Sequence, residues 1–180
     1  MRLWLSFYLV LPLFACASFQ PVEEPKGLND SWVLEAKVNY RDNQQIRNGL
    51  LRWEQQGENY EIKLSGIITG EFARLSKTSG QFNLRVEGQE YRDRTEINNL
   101  LVEKTGIPFP ADNLQYWLRQ EPNPHQPFAV KRDIKGRIVS LTQDLWQIHY
   151  DYKKNHASHI TAEKPPYRIL LVIIRQNINS

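Results

Sequence analysis

From Trp32 onward the chain alternates apolar and polar side chains with a period of two, and that alternation limits the fold more than any other feature. Trp32, Leu34, Ala36, Val38 and Tyr40 are interleaved with Val33, Glu35, Lys37, Asn39 and Arg41. Successive side chains of a strand point to opposite faces, so this pattern predicts a half-buried strand. Gly49, Leu51 and Trp53 alternate against Leu50, Arg52 and Glu54, and Tyr60, Ile62 and Leu64 against Glu61, Lys63 and Ser65. The turn residues Gln56-Gly57-Glu58-Asn59 between them predict a hairpin. Further strands are expected over 71–76 and 81–87, with a short piece at 90–92.

Helical signals interrupt the series once. Thr95 is placed as an N-cap with Glu96 in the first turn, and Ile97, Leu100, Leu101 and Lys104 follow with helical spacing. Gly106, Pro108 and Pro110 end that helix. Asp112 is placed as the cap of a second short helix, with Gln115 three residues on and Leu114, Trp117 and Leu118 as its apolar face. Pro122, Pro124 and Pro127 then give a loop. Strands are expected again at 128–132 and 137–143, flanking the turn Asp133-Ile134-Lys135-Gly136, and at 146–150. The last, Arg168–Arg175, is apolar on both faces from Ile169 to Ile174, which predicts cover on both sides. Many antiparallel strands around one helical insertion predict an α+β, mainly β domain: a strongly bent sheet or open barrel with the helices over its concave face.

The start of the chain follows different rules. Arg2 precedes a nearly continuous apolar run, Leu3 to Phe14, too short for a usual spanning helix and suited to an export signal. It ends in Leu13-Phe14-Ala15-Cys16, which resembles a bacterial lipobox, with Phe14 bulkier than the residue usual there. Residues 1–15 are read as a lipoprotein signal peptide, and Cys16 as the first mature residue and lipid anchor, carrying N-acyl and S-diacylglyceryl groups. Cys16 is the only cysteine, so no disulfide can form within the chain. Ala17 in place of Asp fits outer-membrane sorting, as a rule of that lipoprotein class. Residues 16–30, with Pro21, Pro25 and Gly27, read as a tether, and 31–180 as the folded domain.

A search for chemistry gives little. Neither a Gly-x-Ser-x-Gly elbow nor a phosphate-binding glycine loop is present. His156 and His159 stand three apart in a Lys/Asn-rich segment without a third ligand, and the segment is read as a solvated loop with no metal. A net charge of +3 is too small and too dispersed to imply nucleic acid. Gly66-Ile67-Ile68-Thr69-Gly70 puts two apolar residues where a polar turn belongs. Ile67 and Ile68 are either a core contact at a tight connection or an exposed tip touching membrane. Trp53 and Trp117 are large enough to build a core or to line a cavity.

Three stretches carry a family resemblance. Leu50-Leu51-Arg52-Trp53-Glu54-Gln55-Gln56-Gly57 with Tyr60-Glu61-Ile62-Lys63-Leu64 resembles the early strand pair of LolB proteins. Lys104-Thr105-Gly106-Ile107-Pro108-Phe109-Pro110 with Leu114-Gln115-Tyr116-Trp117-Leu118 resembles their central stretch, and Gln143 with Trp146-Gln147-Ile148-His149-Tyr150 their late strand. There are departures: Arg119-Gln120-Glu121-Pro122 keeps only the Pro of the family's Gly and Pro, and Ile67-Ile68-Thr69-Gly70 stands for a Pro-Leu-Gly type loop. The resemblance implies an unclosed antiparallel β-barrel covered by short helices and enclosing an apolar cavity. It implies a receptor, lipid-anchored on the periplasmic face of the outer membrane, that accepts lipoproteins from the carrier LolA and inserts them into outer-membrane lipid. No cofactor and no catalysis are expected. Ile68 is then the membrane-inserting tip, with Ile67 beside it, and Trp53, Leu64, Leu114, Trp117 and Trp146 are expected to wall the acyl-chain cavity. A lipid-anchored acyl-chain-binding module without receptor activity, and a lipid-modifying enzyme, are the alternatives.

Overall fold

The computed structural model describes residues 31–41, 46–66, 68, 70–105 and 110–178. Cys16, Ile67 and the expected signal and tether lie outside them. The elements are β1 (Trp32–Arg41), β2 (Ile46–Gln56), β3 (Asn59–Gly66), β4 (Gly70–Thr78), β5 (Gln81–Val86), β6 (Gln89–Tyr91), α1 (Arg94–Thr105), α2 (Ala111–Trp117), β7 (Phe128–Arg132), β8 (Ile138–Gln143), β9 (Trp146–Lys153), β10 (His156–Lys164) and β11 (Tyr167–Ile178). All the strands belong to one antiparallel sheet in the order β6-β5-β4-β3-β2-β1-β11-β10-β9-β8-β7. The first and last strands pair at its centre. The sheet does not close on itself, and the helical insertion joins its two edge strands. The expected mainly β architecture with an unclosed antiparallel sheet is what the chain adopts.

Alternation decides the inner face. Leu34, Leu51, Trp53, Ile62, Leu75, Leu84, Leu141, Ile148 and Ile160 are buried there, joined by Ile97 and Leu101 of α1 and Leu114, Trp117 and Leu118 at α2. Burying one such side chain is worth about 1.5–3 kcal/mol, so the helices are held to the sheet mainly by these residues. Trp32, Trp53 and Tyr60 fill one end of the concave face, with ring centroids 5.7 and 5.0 Å apart.

Four local expectations change. The segment read as a solvated loop around His156 and His159 is strand β10, because Ala157, Ile160 and Ala162 supply a buried face. Strand β11 is not covered on both sides: Ile174 is 56% exposed. It lies on the outer face with Leu170 and Val172, and it is also the extra residue of a bulge, since Glu35 pairs with Arg175 and Ala36 with Ile173. Helix α1 is capped by Asp93, not Thr95: Asp93 Oδ1 accepts from the Glu96 amide at 2.8 Å. Helix α2 follows Pro110 without a side-chain cap, and Asp112 sits in its first turn, paired with Arg94.

Candidate functional site: an apolar pocket beneath helix α2

Strand direction assigns every turn to one end of the sheet or the other. The β3–β4, β5–β6, β8–β9 and β10–β11 turns share one end, and the β2–β3, β4–β5, β7–β8 and β9–β10 turns share the other. The aromatic trio lies toward the second end. Toward the first, the concave face is left incompletely filled.

There an apolar pocket of about 140 Å³ lies between α2 and the sheet, walled by Leu64, Leu114, Trp117, Ile160, Ala162 and Leu171. Leu50 and Phe72, 36% and 45% exposed, stand at its rim with Arg47 and Asn48. Gly49 is required where it is: a Cβ there would sit 2.9 Å from the backbone oxygen of Ser65, so a side chain would push β2 away from β3. On the other side of Pro110, a wider and more polar cleft of about 310 Å³ is lined by Arg94, Asn98, Asp112, Trp146 and Lys164.

The wall formed by α2 is fixed by polar contacts that no apolar core supplies. Trp117 Nε1 donates to Gln143 Oε1 at 3.0 Å, and the same oxygen accepts from the Asn123 amide at 2.9 Å. Gln143 Nε2 donates to the Asn123 carbonyl at 2.8 Å, and Asn123 Nδ2 to Asn113 Oδ1 at 2.8 Å. Gln143, Asn123 and Asn113 are all buried, so the network ties α2, the Pro-rich loop and β8 together out of water. Trp146 packs on Trp117 with ring centroids 6.1 Å apart.

The five expected wall residues therefore do not surround one space. Leu64, Leu114 and Trp117 line the apolar pocket. Trp146 lines the neighbouring polar cleft, and Trp53 is fully buried in the aromatic trio, its Nε1 bonded to Gln55 at 2.8 Å. Ile160 and Ala162 are wall residues that the sequence pattern does not reveal, because the register shift between Ala157 and His159 breaks the alternation of β10. Of the two readings of Ile68, the structure has the exposed one: the side chain is 94% exposed at the β3–β4 turn.

Among the described residues the titratable groups offer no poised catalytic pair. Burial raises the Tyr60, Tyr116, Tyr150 and Tyr152 phenols, which remain neutral. The lowered carboxyls of Glu35, Glu54, Glu71 and Asp133 are held down first by hydrogen bonds from arginines, which is what structural ion pairs do. Among the described residues no group of three or more His, Cys, Asp or Glu could hold a metal ion.

Residues 30–175 match the family model described as outer membrane lipoprotein LolB. The chain belongs to the LolB family. Curated LolB relatives include outer-membrane lipoproteins of Pseudomonas fluorescens, 28% identical over 83% of this chain and 80% of the relative, and of Pseudomonas putida strain GB-1, 30% identical over the same shares. That of Pseudomonas aeruginosa strain LESB58 is 34% identical over 67% of this chain and 59% of its own length. The solved structure of a LolA superfamily protein from Nitrosomonas europaea superposes with a TM-score of 0.52 at 11% identity, covering 84% of this chain and 87% of that one, so LolB and LolA superfamily proteins share this fold. As a LolB protein the chain is an outer-membrane lipoprotein receptor of the lipoprotein localisation system.

Proposed function

We propose that this LolB protein takes lipoproteins from a LolA-type periplasmic carrier by receiving their acyl chains beneath α2, and delivers them to the outer membrane at the end of the sheet where Ile68 projects. The observation that carries the reading is the apolar pocket walled by Leu64, Leu114 and Trp117, with its rim at the same end of the sheet as Ile68. An acyl chain exposed to water loses about 0.8 kcal/mol for each CH2 left unburied, so cargo cannot cross the periplasm without an apolar shelter. Transfer needs no nucleotide on this account. The cargo moves if this pocket holds its chains more tightly than the carrier does.

The pocket, at about 140 Å³, is smaller than the ~300 Å³ at the low end of small-molecule sites. Entry of a full chain therefore displaces a wall. The sheet is held by continuous backbone hydrogen bonding, whereas the helices rest on it mainly through side chains, so the helices are the part that yields. Cys16 carries the N-acyl and S-diacylglyceryl anchor, residues 16–30 tether it, and 31–180 form the receptor domain that docks LolA. Ile67, its neighbour in the sequence, is assigned the same inserting role as Ile68. Trp146, packed on Trp117, borders the expanded space.

The test mixes the purified full-length protein in detergent with a carrier–lipoprotein complex and follows which protein the lipoprotein co-purifies with. Cargo appearing on this protein is the expected result. Cargo that stays on a carrier known to discharge to its own receptor would overturn the reading.

A further inference from the structure

The end of the sheet that carries Ile68 carries a second apolar tip. The β8–β9 connection is a two-residue turn, Asp144-Leu145, and Gln143 pairs directly with Trp146 across it. Both turn residues have left-handed backbone, with φ +49° and +64°. Such turns favour Asn-Gly because an L side chain with a Cβ is strained there. Leu145 nevertheless occupies the second position, and its side chain is 79% exposed. A large apolar side chain at that position gains nothing from packing and costs backbone strain that Asn or Gly would avoid. Strain kept without a structural return points to use.

Position says what the use is. The β3–β4 and β8–β9 hairpins point the same way, and β2, β1, β11 and β10 lie between β3 and β9. At ~4.8 Å per strand the two tips stand roughly 29 Å apart measured round the sheet. They flank the end where the apolar pocket and the polar cleft have their rims. The other described turns at this end, Glu87-Gly88 and Pro165-Pro166, present no exposed aliphatic tip. Ile46, Leu50 and Phe72 are also exposed on the strands beside Ile68, but Leu145 stands apart on the opposite arm, so the two tips do not join in the one contiguous patch that a protein interface needs. They fit a plane into which each can sink separately. Basic residues stand beside Leu145: Lys164 Nζ donates to the Asp144 carbonyl at 3.2 Å, and Arg168, on the next hairpin, pairs with Glu163 at 3.1 Å, cations that suit an anionic headgroup surface. The Asp144 carboxylate is the one acid on the tip itself.

We propose that Leu145 is a second membrane-contacting residue, and that Ile68 and Leu145 together seat the domain, mouth down, on a phospholipid surface. This rests on the membrane-facing role given to Ile68 above. A one-point contact leaves the domain free to tilt about its tether; two points on opposite arms of the bent sheet fix the mouth against the bilayer.

The experiment uses the full-length protein in vesicles of phosphatidylethanolamine and phosphatidylglycerol. Single variants Ile68→Cys, Leu145→Cys and Ile134→Cys are labelled with an environment-sensitive fluorophore, and quenching by lipids spin-labelled near the headgroup is read. The unsubstituted protein, treated identically, measures any labelling at Cys16. Ile134 is the control: it is fully exposed and apolar, but lies in the β7–β8 turn at the opposite end. The proposal expects several-fold stronger quenching at 68 and 145 than at 134. Quenching at 68 with 145 no higher than 134 overturns the second contact and leaves the Ile68 reading standing, whereas no excess at either overturns both. Leu145→Asn supplies the second measurement. It is expected to keep or raise the melting temperature, by relieving the left-handed Leu, while weakening the quenching at 68. A lower melting temperature with unchanged quenching would make Leu145 a structural residue and sink the proposal.

Discussion

Trp117 Nε1 donates a 3.0 Å hydrogen bond to Gln143 Oε1, and through it the last residue of α2 is tied to the last residue of β8. Both side chains are buried, so neither can exchange this partner for water without opening the wall of the pocket. The orientation of α2 over the sheet is thereby set by a few buried polar bonds, this one and that from Asn123 to Asn113 of α2.

Gln143→Leu keeps the volume but strands the Trp117 indole and the Asn123 amide, which share the Gln143 oxygen. An unsatisfied buried donor costs about 1–3 kcal/mol, and a loss of at least that size is expected in urea unfolding. A variant within about 0.5 kcal/mol of the parent, the range of neutral surface changes, would show that α2 is not fixed this way.

Leu64→Trp is expected to fill the pocket from the β3 side. Leu64 is only half-buried, so the larger ring has room to settle without overpacking the core. Acceptance of lipoprotein cargo should fall at least tenfold while the circular dichroism spectrum and melting temperature stay near those of the parent. Unchanged acceptance with a folded protein would place the acyl chains elsewhere.

Ile68→Glu leaves the fold alone, because the side chain is 94% exposed and contributes nothing to the core. Membrane burial of an Ile is worth about 1.5–3 kcal/mol, and about 1.4 kcal/mol is a factor of ten. Cargo acceptance should persist and release to vesicles should slow at least tenfold. Equal release rates for the two proteins would remove Ile68 from the insertion step.

Glu35 lies on the outer face of β1, paired with Arg175 of β11 at 2.6 Å and with Arg52 of β2. The Arg175 hydrogen bond, foremost, holds its carboxyl below the ordinary value of 4.5. A depressed carboxyl stabilises the fold above the unfolded-state pKa, and the contribution disappears as pH falls through the folded-state value. Glu35→Gln should therefore cost a partly exposed ion pair's worth, up to about 1 kcal/mol, at neutral pH and low salt, with the difference closing in acid. A difference that persists unchanged at pH 2 would assign it to packing.

Much of the fold could be read from side-chain periodicity alone. The alternation from Trp32 to Tyr40 gives β1, Gln56-Gly57-Glu58-Asn59 gives the β2–β3 turn, and the helical spacing of Ile97, Leu100 and Leu101 gives α1 between two sets of strands. Where a bulge breaks the period, the reading fails. One between Ala157 and His159 hides β10, whereas β11 keeps its period over 169–173 and looks apolar on both faces because Leu170, Val172 and Ile174 are apolar on the outer, less buried side. The pocket was partly legible, through Leu64, Leu114 and Trp117. Trp53 and Trp146, expected with them, lie in the aromatic trio and beside the polar cleft.

By itself the sequence determined which faces are apolar, where the chain turns, and its family, because backbone geometry converts local spacing directly into sidedness. Only the tertiary structure decided which apolar side chains fill one another and which leave a space between them. It also decided that Ile68 and Leu145, far apart in the chain, point out of the same end. Both depend on the curvature of one sheet and on where α2 comes to rest across it, and neither is set by any run of neighbouring residues.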